Sequence, residues 1–343
     1  MPFKKSFKIL LHKSNNSIIS INSNQKTTLD VLDQFFQKSS SITLLNNHCN
    51  SLDMYFDIDN NDNIYGLVNN KSGTVYYYNI TNDLCVSNSI ITYNQNLYTI
   101  KSLYTKKINN TLHIFFYLFD KTIKNKCSLM HYYMQNSKWF KNTISLINYK
   151  ILSNFIVITQ ENIINIFYFN VIQDSSNLFV SSFDMNTGIW NIPKQITNTN
   201  NHKVYLSVIM DKNSVFHITF SENINSKYNC FYIKMIFNNN DINLLKYISI
   251  NSGPVSSFPT IIEHDNILNL QWVEYNKLFY CTSPDLGDSW TKPKLLHFSV
   301  NYDFIRCLYR SNNSKLKINN NQMFIQEPLT NFSDILLLAK KHI

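Results

Sequence analysis

Acid–base and nucleophilic chemistry draw on side chains that this sequence supplies sparingly. It holds only two arginines, Arg306 and Arg310, and five glutamates, Glu161, Glu222, Glu263, Glu274 and Glu327. Glycosidic hydrolysis needs a pair of carboxylates, one to donate a proton and one to act as base or nucleophile. The residues best suited to a shared pocket are Asp53, Tyr55, Lys101, Tyr302, Asp303 and Arg306. Asp53, Asp303 and Glu263 are then the carboxylates available for such a reaction. The competing use of Asp303 and Arg306 is an ion pair within one strand.

Metal and cofactor chemistry find less support. The run Asp57-Ile58-Asp59-Asn60-Asn61-Asp62 opens like a calcium loop, but Asp62 stands where glycine is required and Val68 where glutamate is. An Asx-rich hairpin turn is expected there instead. His113 and His217 occupy equivalent positions of a repeat, far apart around a ring, so packing rather than metal ligation is expected of them. The six cysteines never form a CxxC pair, and no glycine-rich phosphate loop or nucleophile elbow is present. No metal and no cofactor is expected.

The elements that must position these residues announce themselves by period. His113, Asn165, His217 and Asn269 recur at a constant spacing of 52, and an aromatic residue follows each by three positions. A fixed period near 50 residues points to propellers or solenoids. Aromatic-rich strands keep the same phase at 75–78, 129–133, 178–183, 230–234 and 278–282. A tryptophan follows at Trp139, Trp190 and Trp290, with Leu244 or Leu245 at the position where one copy lost it. Leading strands are expected at 53–58, 100–104, 152–158, 204–210, 258–262 and 304–309. β-Branched and aromatic residues fill these strands without strict alternation, the pattern of strands covered on both faces. The one stretch with a helical stripe is 27–37.

Six leading strands predict an all-β, six-bladed β-propeller of four-stranded antiparallel blades, with seven blades as the alternative. Residues 46–343 form the propeller. Residues 1–45 are an N-terminal segment that supplies a ring-closing strand, from 7–11 or 17–22, so that no edge stays open. The leading strands line the axis of such a ring, which is why the six pocket residues are drawn from them and their flanks.

One turn carries a resemblance. Ser283-Pro284-Asp285-Leu286-Gly287-Asp288-Ser289-Trp290 resembles the Asp-box, or BNR repeat, of the sialidase-like propellers at Ser283, Asp285, Gly287, Ser289 and Trp290. A degenerate copy runs through Ser182, Asp184, Gly188 and Trp190, one residue longer. The resemblance implies a folding role for these residues, on turns between third and fourth strands and away from a substrate pocket. It also implies a substrate clamp of three arginines, which two arginines cannot build. Sialidase activity is therefore not expected.

Composition narrows the rest. With 44% apolar and 15% charged residues the 343-residue chain is globular. Its formal charge of +9 is spread along the chain with no long basic run, so a nucleic-acid groove is not expected. No apolar run approaches a membrane span, and the N-terminus lacks a secretory core. Unpaired cysteines fit a reducing, intracellular compartment. The expected function is a non-catalytic sialidase-like propeller that binds a protein or a glycan; the alternative is a divergent carbohydrate-active enzyme using the axial carboxylates.

Overall fold

A computed structural model describes residues 3–23, 25–33, 36–70, 72–81, 84–238, 241–250, 255–313 and 318–329. Almost every element is a strand, because the isoleucines and aromatic rings in which the sequence is rich pack well on a pleated surface. Near the N-terminus β1 (Phe3–His12), β2 (Ile18–Ser23), β3 (Thr27–Leu32) and β4 (Lys38–Leu45) form an antiparallel meander. The stretch expected to carry a helical stripe is thus β3 in its first half; Gln34 and Phe35 lie outside the described residues. Leu29 and Asp30 are both buried there, and pairing with β2 on one side and β4 on the other overrides the weak stripe.

Four-strand meanders follow at the repeat spacing. The first comprises β5 (Met54–Ile58), β6 (Ile64–Asn69), β7 (Thr74–Thr81) and β8 (Leu84–Thr92). The next comprises β9 (Tyr98–Ile108), β10 (Thr111–Asp120), β11 (Lys126–Gln135) and β12 (Lys138–Asn148). In the third, β13 (Ile156–Gln160), β14 (Ile163–Ile172) and β15 (Ser175–Asp184) are joined by a broken outer strand, β16 (Ile189–Trp190) and β17 (Lys194–Gln195). The fourth is β18 (Lys203–Met210), β19 (Val215–Ile224), β20 (Lys227–Asn238) and β21 (Asp241–Ser249). The fifth is β22 (Ser257–His264), β23 (Ile267–Glu274), β24 (Lys277–Ser283) and β25 (Lys294–Leu295).

The chain then forms a short helix, α1 (Phe298–Asn301), and the strands β26 (Asp303–Ser311), β27 (Asn319–Asn320) and β28 (Met323–Glu327). The sheet that gathers the two ends of the chain runs in the order β28-β26-β1-β2-β3-β4. The N-terminal segment therefore supplies four strands, where one was expected. Two leading strands acquire a further neighbour: β27 pairs with β22, and β28 with β26.

Each meander grades outward. β6 is buried along its whole length, and β14 and β19 along most of theirs, whereas the outer strands β8 and β21 are mostly exposed or half-buried. The recurrent aromatic residues Phe116, Tyr168, Phe220 and Trp272 are all at most 1% exposed. Burying each one removes a large apolar surface from water and stabilises the sheet by about 2–3 kcal/mol. The indole N–H of Trp272 donates to Glu274 at 2.7 Å, which satisfies the one polar atom of that ring.

The chain falls into two compact units, one of residues 7–148 with 308–317, the other of the described residues in 1–6, 149–307 and 318–343. In the first a core cluster of buried residues runs from Ile9 and Phe56 to Phe116. In the second, clusters form around Phe167, Phe216 and Ile233 and around Tyr232, Leu270 and Trp272. All six cysteines are free thiols.

Three leading strands share a defect that periodicity does not reveal. Ser102 in β9, Tyr205 in β18 and Phe258 in β22 have φ of +57°, +62° and +55°. At each the register slips, so that two residues face one on the neighbouring strand. The partner that absorbs the slip is Phe116, Phe220 or Trp272, the buried aromatic residue of the 52-residue repeat. A bulge of this kind re-aims the side chains around it and costs about 1–2 kcal/mol when the residue is not glycine.

Candidate functional site

In the first unit a cavity of about 350 Å³ opens at the start of β5 and β9. A single 3₁₀ turn, Ser51–Asp53, leads into β5, closed by the Asp53 N–H donating to Asn50 O at 2.9 Å. This sets the Asp53 carboxylate, only 8% exposed, into the cavity wall. Lys101, one residue before the Ser102 bulge, reaches both of its oxygens at 2.9 and 3.0 Å. Asn50 adds an amide donor to Asp53 at 3.2 Å.

Amides hold the remaining wall. Asn69, the last residue of β6, donates to Ile100 O at 3.1 Å and accepts the Tyr93 hydroxyl at 2.9 Å. The Asn70 side chain accepts two turn amides, from Ser72 and Thr74, and fixes the approach to β7. The connection from β8 to β9 folds over Asn94, whose carbonyl accepts the Leu97 and Tyr98 amides, and presents Tyr93 and Tyr98 to the cavity. Lys121 crosses from the end of β10 to Gln95 O at 2.5 Å.

What this wall can do chemically is hydrogen-bond and stack against a polar ligand. It offers amide and phenol donors and acceptors on a rigid strand end, with two tyrosine rings whose faces are apolar and whose tips are polar. The positive charge of Lys101 is neutralised locally by Asp53. Among the described residues Asp53 is the single carboxylate lining the cavity, and these residues do not assemble the two-carboxylate arrangement of glycoside hydrolysis there.

The other residues singled out from the sequence take different places. Tyr55 turns away from this cavity and packs on Tyr104, ring centroids 4.5 Å apart; its hydroxyl accepts Arg310 Nη2 at 3.3 Å. Burial pushes the Tyr55 phenol up to about 12. Arg310 also approaches Asp57 at 3.9 Å, and Lys106 reaches the same carboxylate at 2.9 Å, so this cluster sets two cations around one carboxylate. In the second unit Tyr302 caps α1 and is 51% exposed. Asp303 pairs with Lys4 at 2.7 Å and not with Arg306, so the intrastrand ion pair does not form. Arg306 instead donates to Gln322 and lies 4.5 Å from the Phe258 ring centre. Glu263 accepts from Asn319 at 2.9 Å.

The run from Asp57 to Asp62 is the expected Asx turn: Asp59 Oδ1 accepts the Asn61 and Asn63 amides at 3.0 and 2.9 Å. His113 and His131 are buried, stacked and joined through a 3.0 Å hydrogen bond. Burial lowers His113 to about 4 and drives His131 well below its ordinary value. His217 lies between Tyr232 at 2.7 Å and Asp211 at 3.2 Å. Both repeat-position histidines thus have local partners within their own sheet.

The turn from β24 to β25 is organised by its own side chains. Ser283 Oγ donates to Asp285 at 2.8 Å and accepts the Gly287 amide at 2.7 Å. Asp285 also accepts the Ser289 amide and hydroxyl, at 2.8 and 2.6 Å; those donors hold its carboxyl well below the usual range. Gly287 has φ +92°, and a Cβ there would stand 1.8 Å from Tyr232 Oη. Trp290 meets the same tyrosine edge-on at 4.9 Å. Tyr232 went unnoticed in the sequence because its partner lies 55 positions away, in the next repeat. The copy after β15 is looser. Gly188 keeps φ +71° and Asp184 accepts the Asn186 amide, but Ser182 donates to Asn165, the repeat position, and Trp190 packs on Phe183.

No family model matches the sequence, and no curated protein matches it either. Solved structures do resemble its fold. An ulvan lyase of polysaccharide lyase family PL25 superposes with a TM-score of 0.62 over 95% of this chain and 93% of the other, at 10% identity. The same kind of enzyme bound to -[GlcA(1-4)Rha3S]- gives 0.61 over the same shares of the two chains, also at 10% identity. The Dos1 propeller gives 0.50 over 82% of this chain and 68% of the other, at 10% identity. The fold is a β-propeller of antiparallel sheets.

Proposed function

We propose that this chain is a six-bladed, non-catalytic β-propeller that binds a glycan in the cavity walled by Asp53, Lys101, Asn69, Tyr93 and Tyr98. One observation carries the reading: a cavity of about 350 Å³ lined mostly by amides and phenols, with the Asp53–Lys101 ion pair and Lys121, whose ammonium donates to a carbonyl. Sugar hydroxyls need such paired donors and acceptors, and sugar C–H faces stack on tyrosine rings. The ulvan lyase that shares this fold acts on a polysaccharide, which supports a saccharide over a protein as the occupant. Asp53, the lone carboxylate of the wall among the described residues, is bound by Lys101 and Asn50, which supports binding without hydrolysis.

The turn at Ser283, Asp285, Gly287 and Trp290 is read as an Asp-box of the sialidase-like kind, with a folding role supported by its closed set of hydrogen bonds. The test of the binding reading is a saccharide array of neutral, uronate-containing and sulfated oligosaccharides, probed with wild-type protein and with Tyr98→Ala. Retention of a defined saccharide class by the wild type, lost in the variant, is expected. Equal retention by both proteins, or none by either, overturns the reading.

A further inference from the structure

We propose that Arg306 in the second unit forms an anion site, which receives one oxygen of a carboxylate or sulfate group between Phe258, Tyr205 and the amide of Gln322. The site is independent of the glycan cavity in the first unit and stands or falls separately.

Its floor is built at the two strained positions. Tyr205 and Phe258, the bulge residues of β18 and β22, bring their rings to 4.2 Å, and Phe3 packs on Phe258 from another side at 5.4 Å. Non-glycine residues held at positive φ cluster where function requires the geometry. Arg306 of β26 lays its guanidinium on the Phe258 ring at 4.5 Å, which orients the group through the ring's negative face.

What the guanidinium lacks is a counter-charge. Nη2 donates to the neutral side chain of Gln322, and Nε is buried with no hydrogen-bond partner among the described residues. No carboxylate pairs with it among the described residues, whereas Arg310, in the other unit, has Asp57. Burial without an acid lowers Arg306 to about 10, still cationic at neutral pH. A half-buried cation of this kind is stabilised when an anion docks. The adjoining cavity, edged by Asn154, Ser207, Thr260 and Gln322, measures about 10 Å³. That is room for about one oxygen atom, so the rest of the ligand lies outside.

The chain has only two arginines, so the ¹⁵N spectrum of its arginine Nε–H groups holds two resonances, and the Phe258 ring identifies that of Arg306 by nuclear Overhauser contact. Sodium sulfate and sodium glucuronate are titrated separately at constant ionic strength against sodium chloride. The Arg306 resonance is expected to shift saturably with one or both, at least tenfold more tightly than with chloride, while Arg310 stays fixed. Saturation by sulfate alone assigns a sulfate ligand, and by glucuronate alone a carboxylate. No shift beyond that of chloride, or parallel unsaturating shifts of both arginines, overturns the proposal. Neither readout requires a variant to fold.

Discussion

Single residues decide stability where a close approach leaves no freedom. At Gly287 a methyl group meets Tyr232 Oη and the backbone sits in the left-handed region, so Gly287→Ala is expected to lose about 2–4 kcal/mol. Urea unfolding of the two proteins measures it, and a loss below 1 kcal/mol would mean that Tyr232 moves aside freely. His113 and His131 make a second case. Both are neutral in the fold with values below the ordinary 6.5, so between about pH 6.5 and 4 the unfolded chain binds more protons. Their contribution is complete above that window and is lost as pH falls through it, at up to about 1.4 kcal/mol per pH unit for each ring. His113→Asn, the residue found at the equivalent position 165, is expected to flatten that slope by one proton in denaturation curves from pH 7 to 4.5. An unchanged slope would place the acid sensitivity elsewhere, as in His12, which burial also lowers to about 4.

Elements explain what the sequence could and could not disclose. The 52-residue spacing was legible because the second strand of four successive meanders buries an aromatic residue at the same depth: Phe116, Tyr168, Phe220 and Trp272. The leading strands were legible for the same reason, although β13 begins at Ile156, later than expected. Residues 1–45 kept no such phase, because their sheet is assembled from both ends of the chain and its strands answer to different neighbours. The bulges were invisible: serine, tyrosine and phenylalanine at positive φ leave no compositional mark, unlike glycine. Of the candidate pocket, Asp53 and Lys101 were legible as flanks of consecutive leading strands, while the Asn69–Tyr93 wall depends on loop geometry that periodicity does not encode. β1 carries a falsifiable consequence. Ile9, Leu10 and Leu11 are fully buried between hydrogen-bonded neighbours, so deleting residues 1–12 uncovers two strand edges. Loss of cooperative thermal unfolding, followed by circular dichroism, is expected; an unaltered transition would show that β1 is dispensable.

At the scale of the whole molecule, fold and function separate. The propeller is shared with an ulvan lyase along nearly the full length of both chains, yet at 10% identity that likeness fixes architecture and leaves the site to decide the chemistry. The formal charge of +9 is distributed, and in the proposed glycan cavity Lys101 is paired with Asp53 and Lys121 donates to the Gln95 carbonyl, so binding of a neutral saccharide there rests on hydrogen bonds and stacking. Affinity for a neutral saccharide should accordingly change less than about threefold between 50 and 500 mM salt, because long-range charge attraction is screened over that range. Isothermal titration at the two salt concentrations checks this, and a loss of tenfold or more would point to a charged ligand. The most direct test of the central claim is calorimetric titration of the saccharide that the array retains, into wild type and Tyr98→Ala, with the saccharide recovered afterwards and its chain length measured. The expected result is one binding site per chain, affinity at least tenfold weaker in Tyr98→Ala, and saccharide recovered intact. Undiminished affinity in Tyr98→Ala would contradict the location of the site, and shortened saccharide would contradict its non-catalytic character.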